Sequence, residues 1–161
     1  MRKRLGFTLI ELLVVIGILA VLLAITLIAI NPARQFGQAN NTRRRSDTLQ
    51  ILNAIHQYTA ENQGNLPAEV AALTAATDTV FNNTNFPNLC AELMTNYLPA
   101  LPTDPSLNTA SITDCTTDAE GSWGYTTGAT STGYEIAIDA QNRVTVSAPI
   151  TDNEEEIRVT R

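Results

Sequence analysis

The first thirty residues constrain this chain most, because a short basic leader and a glycine precede a long apolar segment that carries one acid. Residues 1–6 read Met-Arg-Lys-Arg-Leu-Gly, and a mostly apolar sequence follows as far as Ile30. The 19 residues from Leu12 to Ile30 would cover roughly 28 Å as a helix, close to the thickness of a bilayer core. A lone carboxylate at that depth costs about 2.5–3.5 kcal/mol. We therefore expect Glu11 to have a partner or a function.

Three kinds of membrane segment fit parts of this pattern. A secretory signal peptide has an apolar region of roughly 7–15 residues followed by a small-residue cleavage site. Here the apolar run is longer, and Asn31-Pro32 follows it. A plain signal anchor fits the length but leaves Glu11 unexplained. A leader that is cut before the apolar segment accounts for the basic residues, Gly6 and Glu11 together.

The stretch Gly6-Phe-Thr-Leu-Ile-Glu-Leu-Leu13 resembles the N-terminal signature of type IV pilins and of the pseudopilins of type II secretion. The resemblance implies that a prepilin peptidase cuts between Gly6 and Phe7 and that the new amino terminus of Phe7 is N-methylated. It also implies that Glu11 pairs with the Phe7 amine of a neighbouring subunit inside a filament. The alternative is that Glu11 only reaches the membrane surface near one end of the span.

Charge predicts the orientation of the chain in the membrane. The formal net charge is −6, and loss of the three basic leader residues takes it to −9, which argues against nucleic acid as the default partner. Arg34 and the arginines at 43–45 follow the span, so the count of basic residues on its two sides is nearly a tie. The leader charges adjoin the span directly, whereas the arginine run begins 12 residues past Ile30, and the processing motif and the cysteines also favour an outside C-terminal domain. We therefore expect a single-pass inner-membrane protein with a cytoplasmic N-terminus and the C-terminal domain outside. The arginine run is either a solvated helix face or a contact for anionic lipid headgroups or another subunit's acidic domain.

The remaining sequence predicts an α+β fold similar to that of type IV pilins, with a long N-terminal helix packed on a small antiparallel sheet. Asn31-Pro32 predicts a kink or a local break, with the helix resuming at Pro32 as an amphipathic continuation. Its apolar stripe consists of Ile51, Leu52, Ile55, Tyr58 and Thr59, and Gly64 marks its end. Arg43 and Asp47 are spaced for an i, i+4 pair. Short helices are expected over 68–76 and 89–97, with loops otherwise. Strands are expected over 123–125, 134–139 and 143–147, with a hairpin turn at 140–142, and residues 157–160 form either a short edge strand or a frayed tail. The resulting segments are the leader 1–6, a membrane and filament-core helix 7–30, its continuation 31–63, and a globular domain 64–161.

Two further features concern the middle of the globular domain. Cys90 and Cys115 are the only cysteines, and in a domain outside the cytoplasm we predict that they form a disulfide. Asp114, Asp118 and Glu120 lie close together and could supply oxygen ligands to Ca²⁺. No ligand pattern singles out calcium, so we interpret this segment as a solvated acidic loop and predict no cofactor.

No catalytic constellation is recognisable, so we predict a structural subunit rather than an enzyme. The resemblance implies a prepilin that is polymerised with itself and related pilins, and it names as further partners an inner-membrane platform protein, an assembly ATPase and membrane lipid. One alternative is a pseudopilin of a type II secretion system. Another is a minor pilin or membrane-anchored binding module for adhesion or DNA uptake. The sequence between Asp104-Pro105 and the predicted sheet, which carries Cys115, is longer than in major pseudopilins and favours the pilin.

Overall fold

A computed structural model describes residues 6–94, 96–107, 109–116, 131–153 and 155–161. The helices are α1 (Leu9–Ile30), α2 (Pro32–Glu61), α3 (Ala68–Ala71) and α4 (Leu89–Leu93). The strands are β1 (Thr79–Asn82), β2 (Ser131–Ile138), β3 (Val144–Ala148) and β4 (Ile157–Thr160). The chain divides into two compact units, Met1–Phe36 and Gly37–Arg161.

The first unit is dominated by α1, which has no buried residue. Its 22 residues are long and apolar enough to cross a membrane, judged by length and composition. Asn31 ends the helix in the left-handed region at φ 46°, and its carbonyl accepts the first helical bond of α2 from the Arg34 amide at 3.2 Å. Pro32 then takes the first helical position, where its missing N–H costs nothing. The predicted interruption at Asn31-Pro32 is confirmed.

In the second unit, one face of α2 contributes to the hydrophobic core. The predicted stripe is confirmed, since Ile51, Leu52 and Ile55 are fully buried and Tyr58 packs against the same core. The helix ends with a bond from the Gly64 amide to the Thr59 carbonyl at 2.8 Å. This bond closes the helix C-terminus as a Schellman motif does.

The four strands form an antiparallel sheet in the order β1-β2-β3-β4. Ile136 pairs with Val146, and Ile138 pairs with Val144. The side chains of Ile136, Val144 and Val146 join the α2 stripe in one core. The tight turn predicted between β2 and β3 is present, because the Asn142 amide donates to the Asp139 carbonyl at 3.0 Å. The predicted α+β, pilin-like arrangement is confirmed.

Three local predictions differ from the structure. The helices expected over 68–76 and 89–97 end at Ala71 and Leu93, because Ala76 bonds to the sheet through Ile138 and Met94 is extended and bridges to Leu98. The loop expected before α4 contains β1, whose pairing partner β2 lies about fifty residues later. Local sequence patterns carry little information about such distant pairing. The strand predicted over 123–125 lies outside the described residues.

Candidate functional site

The predicted cleavage site lies just before α1. Gly6, Phe7 and Thr8 precede the helix and have no regular secondary structure, and the Phe7 side chain is 85% exposed. A Cβ placed on Gly6 would meet nothing within 4 Å. The fold of this chain therefore gives no reason for a glycine at position 6, and any requirement for it must come from an external partner.

Glu11 forms a capping box with Thr8 at the start of α1. The Glu11 carboxylate accepts hydrogen bonds from the Thr8 amide at 2.8 Å and the Thr8 hydroxyl at 2.7 Å. The Glu11 amide in turn donates to the Thr8 hydroxyl oxygen at 3.3 Å. This reciprocal arrangement satisfies donors that the first turn of a helix leaves unpaired. The carboxylate thus has a partner within its own chain, while the predicted pairing with a neighbouring Phe7 amine stays a prediction.

The apolar surface of α1 has no cover within its own unit. Its large apolar side chains are at least 50% exposed. Monomeric soluble proteins rarely expose a continuous apolar surface of this extent, which marks a membrane or protein interface. The segment is therefore suited to burial in lipid or among other helices.

In the second unit, a buried ion pair is the main polar feature that the sequence interpretation missed. Arg44 is 1% exposed, and its Nε and Nη2 atoms donate to the two carboxylate oxygens of Asp104 at 2.7 and 3.1 Å. Its Nη1 atom donates to Asp152 at 2.7 Å and to the side-chain carbonyl of Asn41 at 2.9 Å. Four oxygen atoms thus surround one guanidinium and join α2 to two distant loops.

The structure corrects the interpretation of the arginine run. Arg44 is neither solvated nor available to lipid or another subunit, because carboxylates of its own unit surround it. Arg45 forms an ion pair with Glu155, and Arg43 lies 3.6 Å from Asp47 as the i, i+4 spacing predicted. Three adjacent arginines on a helix cannot share one face, so one of them had to point in a different direction from the others.

A second buried acid lies beside this ion pair. Asp47 accepts a hydrogen bond from the Tyr134 hydroxyl at 2.8 Å, which ties α2 to β2. Burial raises the pKa of Asp47, with only partial compensation from Tyr134 and Arg43. Burial would also raise the pKa of Asp104, but hydrogen bonds from Arg44 and Ser106 outweigh it and hold that pKa below its usual value.

Two glycines allow the acidic loops to approach the core elements closely. Gly133 in β2 has φ +81°, and a Cβ there would lie 2.7 Å from the Cβ of Asp104. In α2, a Cβ on Gly37 would lie 2.9 Å from the Cβ of Asp152. Neither contact could have been foreseen from spacing, since each joins residues that are far apart in the sequence.

The predicted disulfide is present. Cys90 and Cys115 are joined, with their Cα atoms 5.6 Å apart, a normal separation for such a bond. Cys90 lies in α4 and is fully buried, and the Met94 side chain beside it is also buried. The bond therefore ties the segment that carries Cys115 to the core.

Among the described residues, no set of candidate calcium ligands is grouped with Asp114. Its carboxylate accepts a hydrogen bond from the Thr116 amide at 2.9 Å, while Asp118 and Glu120 lie outside the described residues. Within the described ranges, no group of three or more His, Cys, Asp or Glu side chains could hold a metal ion. The interpretation of this segment as a solvated acidic loop stays a prediction.

The single histidine borders a cavity of about 380 Å³, together with Thr59, Asn65 and Asn142. The Nε2 atom of His56 is buried without a hydrogen-bond partner. Burial, and secondarily the charge of Arg161, lowers the pKa of His56.

Comparison with known proteins bears on the N-terminal segment. Residues 1–27 match the family described as "Prokaryotic N-terminal methylation motif". Searches of curated proteins and of solved structures gave no match. The match covers Gly6, Phe7 and Glu11 in the segment where the structure shows the exposed junction, the capping box and the uncovered helix. The chain thus carries the prepilin-type N-terminal methylation motif of type IV pilins and pseudopilins, which points to a structural, membrane-anchored subunit.

Proposed function

We propose that this chain is a prepilin that is cut between Gly6 and Phe7, N-methylated at Phe7 and polymerised through α1 into a type IV pilus-like filament. The observation that carries the proposal is that α1 has no buried residue and lies in a segment that matches the methylation motif. Before assembly the membrane covers this surface, and after assembly the α1 helices of other subunits cover it. Both environments are apolar, so the transfer requires little change in hydrophobic burial.

The same proposal includes the orientation and the partners. The leader lies in the cytoplasm and the unit 37–161 lies outside, where a disulfide persists. A prepilin peptidase removes the leader, and an inner-membrane platform protein with an assembly ATPase drives polymerisation. The absence of any structural need for Gly6 in this chain supports recognition of that glycine by the peptidase, since a residue without Cβ allows close approach to the backbone.

Mass spectrometry of the membrane-bound chain tests the processing step. The wild-type chain should begin at a methylated Phe7, whereas Gly6→Val should retain the leader. Gly17→Ala is the matched control, because a Cβ at Gly17 also meets nothing within 4 Å, and it should be processed normally. A wild-type chain that keeps its leader, or is cut after Ile30, would refute the proposal.

Two variants of Glu11 separate its charge from its capping role. Glutamine can still accept hydrogen bonds from Thr8 and complete a capping box, but it cannot pair with an ammonium group. If charge pairing drives assembly, Glu11→Gln and Glu11→Ala should both insert in the membrane and both fail to enter filaments. If Glu11→Gln forms normal filaments and Glu11→Ala does not, capping is the essential role and charge pairing is refuted.

A type II secretion pseudopilin is the second candidate. The capping box and exposed α1 fit it equally well. The disulfide between Cys90 and Cys115 lies in the sequence that precedes β2, and it favours the pilin. We therefore prefer a major pilin, a minor pilin or a binding subunit over the pseudopilin. Deletion followed by imaging distinguishes them, since loss of surface filaments supports a major pilin and loss of protein secretion with intact filaments supports the pseudopilin.

A further inference from the structure

We propose that Arg34, in the first turn of α2, binds the phosphate of anionic lipid headgroups at the end of the α1 span. The proposal rests on the membrane anchoring proposed above, and it adds a lipid class and a specific contact. It concerns the subunit before it enters a filament.

The position of Arg34 along the chain fits the headgroup layer. The 22 residues of α1 cover about 33 Å at a helical rise, slightly more than the hydrocarbon core of a bilayer. Arg34 follows Ile30 by four residues, of which Asn31 is left-handed and the others are helical. These residues extend roughly 6–8 Å beyond the span, which is the depth of the headgroups.

The charge of Arg34 has no counter-ion in its own unit. Among the described residues 6–36 the only other ionisable side chain is Glu11, which is at the opposite end of α1 and bonds to Thr8. The first turn of α2 contains no acid, and Arg34 is exposed. A guanidinium binds phosphate through two parallel hydrogen bonds, which gives it a geometric match to a headgroup.

A second exposed side chain at the same level fits the membrane interface. Phe36 is 70% exposed and lies two residues after Arg34, within about 3 Å of helical rise. The two side chains point to different sides of α2, so a helix that emerges from the membrane presents a cation on one side and an aromatic ring on another. Aromatic and basic residues together anchor helices at this depth.

The arginines at 43–45 do not compete for this role. Each has a carboxylate partner within the second unit: Asp47 for Arg43, Asp104 and Asp152 for Arg44, and Glu155 for Arg45. A lipid phosphate would have to displace these partners. Arg34 needs no such exchange, which is why we assign the lipid contact to it rather than to the arginine run.

Quenching of a single tryptophan by brominated lipids tests the proposal in the full-length chain. A Trp123→Phe background removes the only native tryptophan, and Phe36→Trp places the reporter beside Arg34. The chain is inserted into vesicles in which either phosphatidylglycerol or phosphatidylcholine carries bromine near the glycerol, at equal mole fraction. Because one basic residue at the surface attracts anionic lipid by about fivefold, brominated phosphatidylglycerol should quench the reporter more strongly than brominated phosphatidylcholine.

Two variants in this background identify the contact. Arg34→Gln should abolish the preference for phosphatidylglycerol, whereas Arg158→Gln, which removes an ion pair with Asp78 in the second unit, should retain it. An unchanged preference in Arg34→Gln, or its loss in Arg158→Gln, would overturn the proposal. Equal quenching by both lipids in the chain that retains Arg34 would overturn the proposed lipid contact but not the membrane anchoring. No quenching by either lipid would show that the span is not inserted, and the membrane anchoring itself would then fail.

Discussion

The buried ion pair between Arg44 and Asp104 gives the sharpest stability prediction. Arg44→Gln removes three charge-assisted hydrogen bonds, two to Asp104 and one to Asp152, and leaves the fully buried Asp104 carboxylate with only Ser106 beside it. Removing one partner of a buried ion pair costs about 3–5 kcal/mol. We therefore expect the free energy of unfolding of the second unit to fall by about this amount.

The matched control is Arg43→Gln, one residue earlier on the same helix. The Arg43 side chain is 51% exposed and lies 3.6 Å from Asp47, so the loss should be no more than about 1 kcal/mol. Urea unfolding of the full chain in detergent micelles, followed by near-ultraviolet circular dichroism, measures both values. Because the four tyrosines and the tryptophan all lie in the second unit, this aromatic signal reports on the tertiary packing of that unit.

A double-mutant cycle with Asp104→Asn isolates the interaction itself. If Arg44 and Asp104 stabilise each other directly, the double variant should be less destabilised than the sum of the two single variants, with a coupling energy of about 2–3 kcal/mol. A coupling energy below about 0.5 kcal/mol, or an Arg44→Gln variant as stable as Arg43→Gln, would refute the reasoning. Arg44 would then contribute through packing rather than through its charge.

Three further predictions concern the second unit. Gly133→Ala should cost about 1–3 kcal/mol more than Gly64→Ala in urea unfolding, because both glycines have positive φ but only Gly133 has the Asp104 side chain against it; equal losses would exclude the close contact as the cause. Replacing Cys90 and Cys115 together by alanine should lower the unfolding free energy by roughly 3–4 kcal/mol, and a loss that dithiothreitol does not reproduce in the wild type would count against the disulfide. The pKa of Asp104 is lowered in the native state. Its contribution to folding stability is therefore complete above the unfolded-state pKa of about 3.9 and is lost as the pH falls through the lower native-state pKa. The unfolding free energy of Asp104→Asn should therefore fall less steeply at acid pH than that of the wild type. An equally steep fall in both would contradict this.

Local patterns were sufficient for the elements whose cause lies within a few residues. The break at Asn31-Pro32, the apolar stripe of α2 and the turn between β2 and β3 each depend on neighbouring residues, and the structure has all three. The Arg43–Asp47 pair is another such case, because its spacing alone brings the two side chains together.

The predictions failed where a distant segment decides the outcome. The strand β1 contains a Thr-Val-Phe run that favours a strand, but a run this short does not predict one without its partner β2. The helix α3 stops early because the Ala76 amide bonds to the distant Ile138 carbonyl. In both cases long-range hydrogen bonds decide what the local pattern leaves open.

The sequence alone determined the membrane segment and its processing motif, because a basic leader, Gly6, Glu11 and an unbroken apolar run act through their order along the chain. Only the tertiary structure decided the roles of the arginines. Arg44 is buried because Asp104 and Asp152 approach it from loops roughly 60 and 110 residues away, and Gly133 and Gly37 leave space for those loops. Burial and charge pairing depend on which segments meet in space, and that information appears only after the chain has folded.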